Sequence, residues 1–205
     1  MEILPKPCLA LITNSAKYGE IDLDLIDGAV TGGVDMIQLR EPTFPESKII
    51  KTGNLIKEIT RNRALLIFNG KPNIATKINA DGVQLSENKM DTIASDIPKG
   101  LLIGRSIHSK TAALQSDRAG ADFFIAGTVF RTDSHPEIEP AGVGLIGIIS
   151  EVLRAPILGI GGITENNAES VINAGAHGIA VISSIWQSSD PKAAAKTLKQ
   201  KLVVN

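Results

Sequence analysis

Residues 156–184 read PILGIGGITENNAESVINAGAHGIAVISS. An apolar run, PILGI (156–160), ends in two glycines. A polar stretch with helical spacing follows, then Gly175-Ala176-His177, then a second apolar run, GIAVI (178–182). The runs are continuous rather than alternating, as strands covered on both faces require, and the helical stretch between them reads as a crossover between parallel strands. The same pattern extends back through the chain. LALIT (9–13), DMIQL (35–39), LLIFN (65–69), DGVQL (81–85), LLIGR (101–105) and DFFIA (122–126) complete a set of eight runs.

Helical stretches are expected at 21–32, 45–60, 72–79, 90–96, 109–119, 143–154, 164–174 and 190–203. Pro45-Glu46, Ser109-Lys110, Thr164-Glu165 and Asp190-Pro191 supply helix-start signals. A joint recurs before each even-numbered run: Gly33-Val34-Asp35, Asn79-Ala80-Asp81, Gly120-Ala121-Asp122 and Gly175-Ala176-His177. Its Gly or Asn provides the left-handed residue that ends a helix. Four uses of one joint argue for a repeat of two βα units. An open doubly wound sheet, with its usual five to seven strands, leaves some runs unexplained. The pattern predicts an α/β fold: a single compact (β/α)₈ TIM barrel over residues 1–205, with short helices and little insertion.

Composition narrows the function. The 205 residues are 43% apolar and 21% charged, with a net charge of −1, so no basic surface for nucleic acid or membrane stands out. Aromatics are only 3%, too few for base stacking. No apolar run is long enough to span a bilayer, and MEILPKPCLALIT lacks the form of a signal peptide. The lone Cys8 makes neither an internal disulfide nor a multi-Cys metal site. A cytoplasmic protein is expected. Barrels of this size often associate, which leaves a homo-oligomer open.

In such a barrel the site lies where the strands end. Gly161-Gly162 follows the seventh run, and Ser183-Ser184 follows the eighth and opens a short helical stretch, SSIWQ. Bare glycine backbone and helix N-terminal amides suit a phosphate; two tight turns without a ligand are the alternative. Gln38 and Arg40 share one face of their strand and point into the mouth, where Arg40 suits an anionic oxygen; an Arg40–Glu41 pair is the alternative. His108 either carries acid–base chemistry near neutral pH or braces the next helix. Glu41, Glu87 and Asp133 stand at strand ends without forming a close carboxylate pair, so no metal site is expected. The segment Thr128–Ala141 reads as a mobile lid.

As an ordered set, Ile37-Gln38-Leu39-Arg40-Glu41, Asn69, Asp81-Gly82-Val83-Gln84-Leu85, Ile103 to Ser109, Gly127 to Asp133, Ile160 to Ile163 and Gly178 to Ser183 resemble the thiamin phosphate synthase/TenI superfamily. The resemblance covers nearly the whole chain. It implies that Gly161, Gly162, Ser183 and Ser184 bind a phosphate. Thr132, Asp133 and Ser134 would line the thiazole side, and Gln38, Arg40, Asn69 and Ser106 the other half of the mouth. The synthase branch joins a pyrimidine pyrophosphate to a thiazole phosphate with Mg²⁺. Four charged positions of that branch differ here: Pro42 and His135 stand where it has lysines, Gly70 and Lys89 where it has metal-binding Asp. The TenI branch moves a proton on a thiazole carboxylate phosphate without metal, and its catalytic His falls at Thr128. The resemblance therefore implies a TenI-like protein binding thiazole phosphate or thiamin phosphate, with thiazole tautomerase (isomerase) activity through Thr128 or His108 and no cofactor. A synthase with an altered site, in which Lys71 or Lys89 replaces metal charge near the pyrophosphate and Mg²⁺ enters only if that activity is retained, is the alternative. A non-catalytic regulator that keeps the pocket is a third reading. A phosphate-binding barrel isomerase of another pathway is a fourth.

Overall fold

The computed structural model describes residues 4–87, 93–132 and 136–203. Eight parallel strands form a closed barrel in sequence order: β1 Cys8–Ile12, β2 Met36–Leu39, β3 Leu65–Asn69, β4 Gly82–Leu85, β5 Leu102–Ile107, β6 Phe123–Gly127, β7 Ile157–Ile160 and β8 Gly178–Val181. β8 closes on β1 with Cys8 opposite Gly178 and Leu11 opposite Val181. The (β/α)₈ architecture expected from the eight runs is the one observed.

Helices wrap the outside: α1 Ser15–Tyr18, α2 Leu23–Thr31, α3 Glu46–Thr60, α4 Pro72–Lys77, α5 Lys110–Arg118, α6 Gly142–Ser150, α7 Ala168–Asn173, α8 Ser183–Trp186 and α9 Pro191–Lys201. The stretch expected to be helical over 90–96 shows only a 3₁₀ turn, Ala94–Asp96; residues 88–92 lie outside the described ones. Pro98 holds Ile97 in an extended conformation, and the Asp96 carboxylate takes the Ile93 amide at 3.1 Å, so no longer helix develops. Thr164 does not cap α7. That helix starts later, with Asn167 accepting from the Thr164 amide at 2.8 Å. Ser109 and Asp190 cap α5 and α9 as expected, through the amides of Ala112 and Ala193.

Strand parity divides the apolar residues into two cores. Cys8, Ala10, Ile12, Met36, Ile67, Phe123, Ile125, Leu158 and Ala180 fill the barrel interior. Their neighbours, such as Leu9, Leu11, Ile37, Leu66 and Phe124, pack against the helices. Both faces are dry, which explains the unbroken apolar runs. With aromatics scarce, interior volume is matched by size contrast: a Cβ on Gly104 would stand 2.4 Å from the Phe123 ring and 2.1 Å from Gln84 Oε1. Cys8 sits at the closed end, and burial pushes its thiol up to about 12.

The repeated joint is a real structural unit. Gly33, Asn79, Gly120 and Gly175 all have positive φ, at 110, 49, 84 and 103°. The acid two residues later turns back to the preceding strand. Asp35 accepts from the Leu9 amide, Asp81 from Leu66 and Asp122 from Ile103, at 2.7, 2.7 and 2.8 Å. In the fourth copy His177 reaches instead to the carbonyls of Leu4 and Pro5, at the end of the barrel opposite the strands' C-terminal ends. Asp35 also receives Lys199 of α9, which fastens the last helix under the first strands.

The substitution Asp35→Ala leaves the buried Leu9 amide and the Lys199 ammonium without their carboxylate. A loss of about 2–4 kcal/mol is expected from urea denaturation. A change under about 0.5 kcal/mol, the ordinary range for surface positions, would contradict the structural role given to the joint.

Candidate functional site

At the C-terminal ends of the strands the barrel opens into a cavity of about 630 Å³, a volume suited to a drug-sized ligand. Its floor is apolar, from Ile12, Ile125, Ile160, Ala180 and Ile182. Its walls carry Gln38, Arg40, Asn69, Ser106, His108, Thr128, Thr132, Gly161, Gly162 and Ser183, all named from the sequence. Asn14, Ser86 and Glu87 join them. Asp133, Ser134, His135 and Lys89 lie outside the described residues.

One wall is built from glycine. Gly161 and Gly162 have φ of 105 and 61°, in the left-handed region. Side chains there would also collide with the loop after β6: a Cβ on Gly161 would meet Thr128 Cγ2 at 2.5 Å, and one on Gly162 the Arg131 carbonyl at 2.3 Å. That loop is laced onto β7. Val129 donates to the Ile160 carbonyl at 2.8 Å and Phe130 to the Gly161 carbonyl at 3.0 Å. Farther along, Ala141 and Gly142 donate back to Thr128 and Val129. The two ends of the segment expected as a lid, Val129-Phe130 and Ala141, are therefore fastened by backbone hydrogen bonds.

Helix α8 stands beside this wall, held from two sides. Trp186 Nε1 donates to the Ile12 carbonyl at 2.9 Å and its ring stacks on Tyr18. Ser184 Oγ donates to the Ile163 carbonyl. The Ser184 hydroxyl is thus an anchor between β7 and β8, not a wall of the cavity as expected. Among the described residues, the amides of Gly162, Ser183 and Ser184 take no acceptor. They are left for solvent or a ligand.

The opposite wall is a polar tier. Asn69 Nδ2 donates to Gln38 Oε1 at 3.2 Å and Gln84 Nε2 to Ser106 Oγ at 3.0 Å. Gln38 Nε2 and Gln84 Oε1 are buried without a partner among the described residues. Glu41 does not pair with Arg40. It is buried and accepts from the Ser15 amide and hydroxyl, while the Arg40 amide donates to Thr13. This crosslink between the β1 and β2 ends leaves the Arg40 side chain in the cavity. Glu87 Oε2 meets His108 Nδ1 at 2.6 Å. Sequence reading missed this pair, which joins residues 21 apart. The signal available was that β4 and β5 are neighbours and both residues lie just past or at their ends.

Mg²⁺, which the resemblance implies for the synthase branch, does not fit the donors among the described residues. A Cβ at Gly70 would stand 2.5 Å from the Phe68 ring, so no carboxylate fits there without moving that ring. Glu87 is engaged by His108, and Glu41 by Ser15. Among the described residues no three His, Cys, Asp or Glu side chains come together.

At the mouth of this closed eight-stranded barrel, among the described residues, bare glycine turns and helix amides without acceptors are joined by Arg40. The family described as thiamine monophosphate synthase matches residues 9–185, and the chain belongs to that family. It is 33% identical over 186 residues to a thiamine-phosphate synthase of Natronomonas pharaonis, covering 88% of this chain and 87% of the relative. It is 36% identical over 195 residues to one of Roseiflexus castenholzii, covering 92% and 85%. Among solved structures, a thiamine phosphate pyrophosphorylase of Pyrococcus furiosus superposes with a TM-score of 0.82 at 30% identity, covering 95% of each chain. A 3-hexulose-6-phosphate synthase, at 20% identity and a TM-score of 0.73, shares the fold.

The substitution Gly162→Ala forces a side chain into a left-handed, filled position against the Arg131 carbonyl. A loss of about 1–3 kcal/mol is expected in thermal or urea denaturation. Unchanged stability would mean that the two loops are not fastened as described.

Proposed function

We propose that the mouth binds a thiazole phosphate and that the chain forms thiamin phosphate, the activity for which its relatives are named. The carrying observation is the group of Gly161, Gly162 and Ser183 lining the mouth of a chain about one-third identical to those synthases. In this reading the amides of Gly162, Ser183 and Ser184 hold the thiazole phosphate. The apolar floor takes the ring, with Thr132 on its edge. Gln38, Asn69 and Ser106 face the second partner, a pyrimidine carrying pyrophosphate. The thiazole nitrogen attacks the pyrimidine's methylene carbon, the carbon–oxygen bond breaks, and its electron pair leaves on pyrophosphate. Arg40 is the cation in the cavity that meets the departing anion. Both ligands are small phosphorylated molecules. Among the described residues, no helix is long and apolar enough to cross a membrane.

A second reading is proton transfer on a thiazole carboxylate phosphate. The filled space at Gly70 favours it, because this reaction needs no metal carboxylates. The names of the relatives do not support it. A regulator that only binds is the third reading, and it differs from both by lacking turnover.

Purified protein given both coupling partners, with and without Mg²⁺, is expected to release thiamin phosphate and pyrophosphate by chromatography. Replacing Arg40 with Ala is expected to lower kcat/KM by about 100-fold, within the range for losing one charged transition-state contact. Thiazole phosphate is expected to bind by calorimetry, and Gly161→Ala to weaken it at least tenfold. No coupled product under either condition overturns the synthase reading. Turnover of the thiazole tautomer in NMR then supports the second reading, and binding with neither turnover supports the third.

A further inference from the structure

We propose that Glu41 is a positioning residue for the mouth: its buried carboxylate holds the turn at Ser15 and thereby sets the Arg40 side chain against an anion bound there. This role rests on the reading that Arg40 meets the pyrophosphate of the second partner. It involves no contact of Glu41 with either ligand.

The ends of β1 and β2 alternate in what they face. Ile12, Asn14, Gln38 and Arg40 line the cavity. Thr13 and Glu41 turn the other way, as the period of two in extended chain requires, and are 0% and 4% exposed. These hidden residues fasten the two ends to each other. The Thr13 amide donates to the Gln38 carbonyl at 3.0 Å, and the Arg40 amide to Thr13 Oγ1 at 3.0 Å. One step further, the Ser15 amide donates to both oxygens of Glu41, at 3.0 and 3.2 Å, and the Ser15 hydroxyl donates to Oε2. Strand β2 ends at Leu39, so Arg40 lies beyond the strand itself. It sits between two fastenings, one through its own amide and one through the side chain of the next residue.

A buried carboxylate needs donors or a cation. Glu41 follows Arg40 directly in the chain, yet its donors among the described residues are those of Ser15. An Arg40–Glu41 pair would spend the guanidinium on a neighbour. With Glu41 turned to Ser15, the guanidinium is kept for the cavity, where its fork of N–H groups suits an anionic oxygen.

The test uses the full chain. Calorimetry with inorganic pyrophosphate, without metal, reads the Arg40 side of the mouth. Calorimetry with thiazole phosphate reads the other side, and circular dichroism checks folding. Wild-type protein is expected to bind both. Glu41→Ala is expected to weaken pyrophosphate by about tenfold, the scale of one charge-assisted hydrogen bond. It is expected to leave thiazole phosphate within about twofold, as for a distant site. Glu41→Gln keeps the chain length and a carbonyl oxygen for the Ser15 amide, and is expected to bind pyrophosphate within about twofold of wild type. A carboxylate acting only by its charge gives the opposite sign, tighter pyrophosphate in both variants. One acting only on stability lowers the melting temperature and leaves both affinities unchanged. On an Arg40→Ala background, Glu41→Ala is expected to change pyrophosphate affinity by less than about twofold, because the group it positions is gone. Where Glu41→Ala does not fold, Ser15→Ala removes the hydroxyl donor alone and is expected to weaken pyrophosphate about fivefold. Unchanged or tighter pyrophosphate binding in the folded variant, or additive losses in the double variant, overturns the role given to Glu41. Wild-type protein that binds no pyrophosphate, or binds it equally well without Arg40, overturns the reading of Arg40, and the role of Glu41 with it.

Discussion

The mouth of this barrel depends on the close approach of two loops. The segment after β6 donates amides to the carbonyls of Ile160 and Gly161, and its Thr128 methyl lies where a side chain at 161 would be. Only glycine permits that approach, and only left-handed backbone carries the chain onward from it. Thr128, Gly161 and Gly162 thereby form one wall. The tethers from Trp186 to Ile12 and from Ser184 to Ile163 bring the first amides of α8 to its edge. The cradle is a property of backbone geometry, built by side chains that mostly never face the cavity.

Much of this was legible in the sequence. Strands dry on both faces must read as continuous apolar runs, so all eight were found in order. The joint at Gly33, Asn79, Gly120 and Gly175 was readable because an L side chain other than Asn rarely tolerates that conformation. Most of what escaped depended on distant partners. Thr164 looks like a cap, but its hydroxyl accepts from the Asn166 amide while Asn167 accepts from its own amide, and the helix begins only at Ala168. The Ser184 hydroxyl looks open to a ligand, but it donates to the Ile163 carbonyl in the loop after β7. Glu41 looks like a partner for Arg40, but it turns to Ser15. For Ser184 and Glu41 the role is set by an element far away in the chain, and local pattern carries no information about it. The Glu87–His108 contact has the same origin.

Residues and relatives pull in different directions at Gly70. The chain shares about a third of its residues with synthases across most of its length, yet the Phe68 ring fills the place where a carboxylate would stand. Among the described residues, the guanidinium lining the cavity is that of Arg40, and the carboxylate lining it, Glu87, meets His108. A fold-level likeness to sugar-phosphate barrels does not decide the chemistry; the side chains at the strand ends do.

The most direct measurement is a crystal structure with thiamin phosphate bound. The expected result places the phosphorus within hydrogen-bonding reach of the amides of Gly162, Ser183 and Ser184, with the thiazole ring over Ile125 and Ile160. Phosphate seated elsewhere, for example on Arg40 with those amides still facing water, would contradict the account.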